Sequence, residues 1–439
     1  MKKKTESGQI VIILVFGLVA MIGFVALAVD GGQLFSEQRT AQNGADNAAM
    51  AGAQALCREE SVSAAALATA LSNGFDNNGT TNTVTIHHPP ASGPYVGDDE
   101  YIEVLINSKK ETFFAQLVYQ GDFEVTTRAV ARCRLSFDYA VLALTSRNDV
   151  RGLEITGAGD LSVIDGGIMS NSTHPTQSLY VQDAGAVVTA EVIHATGGVS
   201  CSGTCDPPPE GGQPYVPDPL ASIPPPAVQP QPLQSSPTSS DPCTTAGGHP
   251  GLAVNQQGNR TVTLNPGMYC YIQGGNSIDY VLNPGIYYID GQNSGAYGIQ
   301  LTGDSTLSTV PGTGVMIYLS TNAGRVYMYG NADIDISACR STDPGAWCVG
   351  SLAVYSGMLF YADRSYTRTI SMIGNAHWDA IGTIYAAGSA LDLSGNGVDN
   401  NLSSMIVANT IRLGGSSNTV VNYDPGLNVT PPTTVSLVE

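Results

Sequence analysis

A short unit recurs between Leu153 and Tyr423: a β-prone strand, a glycine corner with polar neighbours, then a second short strand. The copies read LEITGAGDLSVIDGG, LYVQDAGAVVTAEVI, IQLTGDSTLSTV, VYMYGNADIDISA, ISMIGNAHWDAIGTIY, LDLSGNGVDNN and IRLGGSSNTVVNY. Their corner glycines are Gly157, Gly185, Gly303, Gly330, Gly374, Gly395 and Gly414. Repeats of roughly 20 to 30 residues are stacked units that bury a shared core, and β-branched residues around glycine corners favour strands over helices. The expected fold is mainly β, with a right-handed parallel β-helix over residues 136–439. Glycine supplies the positive φ a tight corner needs; Asn331, Asn375 and Asn396, beside the corners, tolerate the same region or stack between coils.

A second repeat agrees. Asn265-Pro266-Gly267-Met268-Tyr269 and Asn283-Pro284-Gly285-Ile286-Tyr287 each place a Pro-Gly turn before an aromatic strand. From about 197 to 258 the chain is instead rich in Pro, Ser and Gly, a composition that buries little and favours extended backbone. This stretch reads as a loop laid over the solenoid or projecting from it.

At the other end, Ile10–Val29 (IVIILVFGLVAMIGFVALAV) carries no charged or polar side chain. As a helix rising 1.5 Å per residue it would cross a hydrocarbon core of ~30 Å. Lys2, Lys3 and Lys4 before it and Asp30 after it favour a cytoplasmic amino-terminus and an exported remainder. The competing reading is a signal peptide, with Ala26-Leu27-Ala28 at the cleavage point; the run exceeds the usual h-region of ~7 to 15 residues, which favours a retained span. The formal charge is −19 for the whole chain and −21 downstream of the span, with 15 basic against 36 acidic residues, which makes nucleic acid an unsuitable partner.

Beyond the span, Ala41, Ala45, Ala48, Ala49, Ala53 and Leu56 follow helical spacing. This face can pack within its own domain, the simpler reading, or against a neighbouring subunit through residues 41–56. Thr83–Ile86, Tyr101–Ile106 and Phe123–Cys133 read as strands and Glu111–Tyr119 as a short amphipathic helix, giving an α+β module over residues 30–135.

The eight cysteines are even in number, and an oxidising compartment would let them pair. Local pairing is the most economical: Cys57 with Cys133, Cys201 with Cys205, Cys243 with Cys270, and Cys339 with Cys348. Eight cysteines nevertheless permit 105 pairings. No C-x-x-C occurs and no His lies at a zinc spacing from these cysteines, so no structural metal is expected.

Ser7-Gly8-Gln9, the apolar span, Ala28-Val29-Asp30-Gly31-Gly32 and Gln42-Asn43-Gly44-Ala45-Asp46-Asn47-Ala48-Ala49 follow one another in an order that resembles the TadE/TadG-like proteins of tight-adherence (Flp) pilus assembly. Thr112-Phe113-Phe114-Ala115 and Val125–Ala131 are similar to the end of that module. PGIYYIDG from Pro284, GTGVMIY from Gly312 and GTIYAAGSALDLSGNG from Gly382 resemble the extracellular β-helical region that commonly follows it, and Val216–Leu220 resembles its "DPLA" element. The resemblance implies a pilin-like module, a membrane anchor and a structural or adhesive role in the cell envelope. Pilins cleaved by a prepilin peptidase carry Glu five residues after the cut; here that residue, counted from Gly8, is Ile13, which favours an uncleaved anchor.

Parallel β-helices also house enzymes acting on polysaccharide, anchored or secreted, which need acids and bases clustered on one face. Asp160, Asp165, Asp333, Asp335, Asp379, Asp392 and His377 are the candidates, but each sits where Asp is ordinary turn chemistry, so no catalytic, cofactor or metal residues are expected. Asp333 and Asp335 share a strand face and could hold calcium; a solvated face is the simpler reading. His87-His88 before Pro89-Pro90 reads as an exposed loop. Tyr318, Tyr327, Tyr329, Tyr355, Tyr361 and Tyr385 would form a platform for a glycan or protein if they face outward, or core if inward.

Overall fold

The computed structural model describes residues 7–57, 60–115, 123–135, 139–227, 240–375, 377–395, 400–416, 418–430 and 433–438. They divide into two compact units, an amino-terminal module completed by the chain's last residues and a unit over Phe137–Pro432.

In the module one helix, α1 (Ser7–Cys57), runs unbroken through the apolar span and the Ala-rich segment. From Val11 to Val29 nearly every side chain is exposed; from Ala41 onward one face is buried. A second helix, α2 (Val62–Ser72), follows, its first turn capped by the Ser61 hydroxyl, which accepts from the Ala64 amide at 3.4 Å. The strands β1 (Asn82–His87), β2 (Tyr101–Lys110) and β3 (Phe123–Leu135) form an antiparallel sheet extended by Thr433–Leu437, which pairs with β3. These terminal residues therefore complete the module and leave the solenoid at residue 432. The helix expected over Glu111–Tyr119 lies partly outside the described residues, and no α-helix is present up to Ala115.

Ile102, Val104 and Ile106 alternate onto the sheet face that meets Ala45, Ala48, Ala49 and Ala53 of α1, all fully buried. Small residues bring the helix close: a Cβ at Gly44 would stand 2.7 Å from the Phe75 ring, and one at Gly52 would overlap Ile102. The Cys57–Cys133 disulfide ties the end of α1 to β3 across 76 residues of sequence. On the chain-entropy account such a loop stabilises by roughly 4.5 kcal/mol.

The second unit is a parallel β-solenoid with three strands per coil. One face, a 10-stranded sheet, includes Leu161–Ile164, Ile278–Leu282, Asp333–Ser337 and His377–Ile381. Along these strands alternate residues point inward, so that Ile334 and Trp378, paired in register, lie in the core while their neighbours stay outside. The other two faces share the long strands Thr383–Gly395 and Ile406–Gly415, which bend from one face to the next.

The copies stack, but not in sequence order. The last coil, through Ile406, pairs with the first, through Val141, and Thr419–Val421 pairs with Leu161–Val163. The chain thus enters mid-solenoid and winds outward through Ile168 and Ile193. It then crosses to the far end near Leu252 and winds back to meet its own beginning. The Pro-rich region is the return connection this route requires.

Corner glycines align down one edge, Gly303, Gly330 and Gly374 in direct register. Gly157 has positive φ as well, whereas after Gly414 it is Gly415 that turns. Asn375 donates to the Asn331 side chain at 3.2 Å, and Asn331 to Asp304 at 2.8 Å, so these residues stack between coils and do not take positive φ themselves. Asn396 lies outside the described residues. All four disulfides are those expected from local pairing.

Candidate functional site

The two regions with built polar geometry are the exit of α1 from its apolar half and the tyrosine-lined face of the solenoid. At the first, Asp30 ends the apolar run and is buried against the turn after β2. Its carboxylate accepts the backbone N–H groups of Phe113 at 2.9 Å, Phe114 at 3.0 Å and Ala115 at 2.6 Å. Burial alone would raise this carboxyl; the three amides, Ala115 foremost, hold it below the usual carboxylate value. Two helical turns further on, Glu37 accepts from the Ser108 hydroxyl at 2.6 Å and pairs with Lys110 at 3.1 Å. The strand end is thereby fixed along the helix.

The Ala-rich face of residues 41–56, for which packing within the domain is the simpler reading and contact with pilus-assembly or filament subunits the other, packs against the module's own sheet and α2. Gly44 and Gly52 on the same face let the sheet approach closely, and α2 packs beside it through Val62 and Ala66.

Opposite that face, Glu103 is fully buried and gathers Arg128 Nε at 2.5 Å, His87 Nδ1 at 2.8 Å, the Ala91 amide at 3.0 Å and the Ser92 hydroxyl. Burial opposes ionisation, yet the Ser92 hydroxyl, Arg128 and the other donors carry the carboxyl down to about 2. His88 Nε2 lies 2.8 Å from the Asp99 carbonyl. Both histidines are structural elements of the loop, and His88 is the exposed one.

In the solenoid, Tyr288, Tyr318, Tyr361 and Tyr385 pair in register on one outward row, with ring centroids 5.8, 5.8 and 5.1 Å apart. They form no open platform, because residues 216–227 lie over them. Tyr385 donates to Asp218 Oδ2 at 2.6 Å, Tyr361 to the Ile223 carbonyl at 3.0 Å, Tyr355 to that of Pro224 at 3.0 Å, and Tyr288 to that of Ala227 at 2.8 Å. Arg364 donates to the Leu220 and Ile223 carbonyls at 2.8 and 2.9 Å. Burial, with the Asp218 carboxylate second, raises the Tyr385 hydroxyl far above its usual value.

Tyr327 and Tyr329 lie on a different face. Tyr329 is 50 % exposed and stacks 5.9 Å from Tyr327, itself 5.3 Å from Tyr297. This smaller aromatic patch is open to solvent.

Only four of the seven candidate residues, Asp333, Asp335, Asp379 and His377, gather on one face. Asp160 accepts the Val187 amide at 3.0 Å, Asp165 takes a positive-φ turn, and Asp392 bonds Ser394 on another face. Asp333 and Asp335 do share the exposed side of their strand; His377 lies 3.1 Å from Asp333, and Asp379 stands in register beside Asp335. Burial first and Asp379 second raise the Asp335 carboxyl. Among the described residues no group of three His, Cys, Asp or Glu is placed to hold a metal ion.

Sequence reasoning missed α2, whose Ser61 cap and Ala-rich run were the available signal, and the Glu103–Arg128 pair, which carries no local signature. Residues 8–55 match the family described as putative Flp pilus-assembly TadE/G-like. No curated protein and no solved structure matches the chain. The matched segment and the apolar helix support a membrane-associated component of an Flp pilus system.

Proposed function

We propose that this chain is a single-pass envelope protein of a tight-adherence pilus system, its amino-terminus cytoplasmic and its module and solenoid exported as a structural or adhesive surface. One observation carries the reading. The TadE/G-like segment, residues 8–55, coincides with α1, whose apolar half is exposed among the described residues and whose second half is the spine of the module. A helix built this way anchors at one end and presents at the other. We assign no catalytic role: Asp160 and Asp392 are engaged in local bonds, and the strand face that Asp333, Asp335, Asp379 and His377 share is an exposed one. Contact with a surface glycan or protein falls to open patches such as Tyr297–Tyr327–Tyr329.

Shearing filaments from intact cells, followed by peptide mass spectrometry of both fractions, tests the reading. Retention of this chain in the membrane fraction, with peptides from Met1–Val29 intact, is expected for an anchored assembly component. Release of a chain lacking those residues would sink the anchor.

A further inference from the structure

The turn that Asp30 holds leaves two large rings exposed: Phe113 by 70 % and Phe114 by 37 %. They sit at one particular height along α1. Asp30 is the first residue past the apolar run, and its carboxylate is hydrogen-bonded to the backbone of Phe113, Phe114 and Ala115. If Ile10–Val29 fills a hydrocarbon core of ~30 Å, Asp30 marks its boundary with the headgroups, and residues 113–115 lie at the same level. Phe35, also exposed, stands about 7.5 Å further along the helix, still within the interfacial layer.

We propose that the Phe113–Phe114 turn is a second membrane contact, its rings seated in the lipid interface of the leaflet from which α1 emerges. The inference rests on reading Ile10–Val29 as a membrane span, and the occupant follows from continuity: the rings adjoin the surface that the span already requires to be lipid. The polar chemistry fits that position. A carboxylate and three backbone N–H groups at the edge of hydrocarbon are each costly when unpaired, and here they satisfy one another without water. The turn can therefore approach the bilayer with the rings of Phe113 and Phe114 toward it. Two contacts, one spanning and one lateral, would fix the module's tilt on the membrane where a lone helix would leave it free to swing.

The test is photolabelling of the full chain reconstituted in phosphatidylethanolamine and phosphatidylglycerol vesicles containing a phospholipid with a diazirine on its acyl chain near the headgroup. Fragment-ion mass spectrometry then maps the adducts. Val96, 59 % exposed, is the aqueous control. Its loop is held at the level of Gln42, because Gln42 donates to the Arg128 carbonyl and Arg128 to the Ser92 carbonyl. That is about 18 Å beyond Asp30. Adducts on the apolar span and on Phe113 or Phe114, with none on the Val96 peptide, are the expected result. The double variant Phe113→Ser, Phe114→Ser should lose the adducts on the turn at least fivefold with span labelling unchanged, and Phe114→Trp should keep them. The substitutions touch exposed side chains and leave the Asp30 bonds, which are to backbone, in place. Labelling of the span without the turn overturns the second contact and leaves the anchor standing. Labelling of neither removes both, and equal labelling of Val96 also overturns the proposal.

Discussion

Tyr385 donates its hydroxyl hydrogen to Asp218 at 2.6 Å, joining residues 167 positions apart in sequence. The bond explains how a proline-rich connection becomes part of a packed face. Extended backbone of this kind cannot satisfy its carbonyls internally, and the row of tyrosines with Arg364 supplies the donors at intervals set by coil spacing. Leu220 and Ile223 meanwhile bury their side chains in the solenoid core cluster. Tyr385→Phe keeps the ring and removes the hydroxyl, which leaves Asp218, half-buried, with one bond fewer and takes from Arg364 Nε the acceptor it meets at 2.8 Å. A charge-assisted bond of this kind stabilises by about 2 kcal/mol. The expected outcome is a lower melting temperature and faster proteolysis within 213–227, with circular dichroism unchanged; equal proteolysis rates would mean that the strap is held by its apolar residues alone.

Glu103 makes the module acid-sensitive in a defined window. Its folded value lies near 2 against an ordinary 4.5, so the folded state favours the carboxylate. The stabilisation is present above about 4.5 and is lost as pH falls through the folded value near 2. The full shift corresponds to roughly 3 kcal/mol. Glu103→Gln keeps the shape and removes the charge, leaving the Arg128 guanidinium, mostly buried, without its partner carboxylate. Thermal unfolding measured from pH 7 to pH 2.5 should show the wild-type module losing stability below about pH 4.5. The variant should begin less stable and respond less to acid; parallel curves would rule out Glu103 as the source.

Much of this architecture is legible in the sequence because it rests on local rules. Glycine corners at Gly330 and Gly374 announce a solenoid, the uncharged run announces a long apolar helix, and three short-range cysteine pairs match disulfides formed. Stacking order is not local. Any coil edge can pair with any other of similar shape, so nothing in the copies announces that Ile406 would meet Val141. The alanine face was equally ambiguous, since small residues suit an internal or an external neighbour, and Gly44 and Gly52 decided it by closeness to the sheet. The tyrosines escaped prediction because outward direction and exposure differ: Tyr361 points out of its coil and is still fully buried beneath the strap.

Asp335 stands beside Asp379 on an exposed strand face, and its carboxyl is raised by burial and by that neighbour. A raised folded value means that the charged form is disfavoured in the native state. The penalty is present at neutral pH and relieved as pH falls through the folded value. Asp335→Asn should therefore raise the melting temperature slightly at pH 7 in EDTA and have no effect near pH 3. Solvent screening keeps the gain small. A fall in the variant's melting temperature in calcium-containing buffer, with none in EDTA, would instead assign the Asp333–Asp335 face to a bound cation.

Gly374 carries a severe steric requirement at its corner. Its φ is +113°, and a Cβ there would stand 2.7 Å from the Gly330 carbonyl oxygen, which belongs to a backbone that cannot move without shifting the coil below. Strain and overlap act together, where either alone would cost 1 to 3 kcal/mol. Gly374→Ala should thus destabilise the solenoid by about 3 kcal/mol or more and lower its thermal transition without affecting that of the module. Asn375→Ala, which removes one exposed side-chain bond at the same corner, should cost under about 1 kcal/mol. A larger loss for Asn375→Ala than for Gly374→Ala would show that the asparagine stack, and not backbone closeness, holds the coils in register.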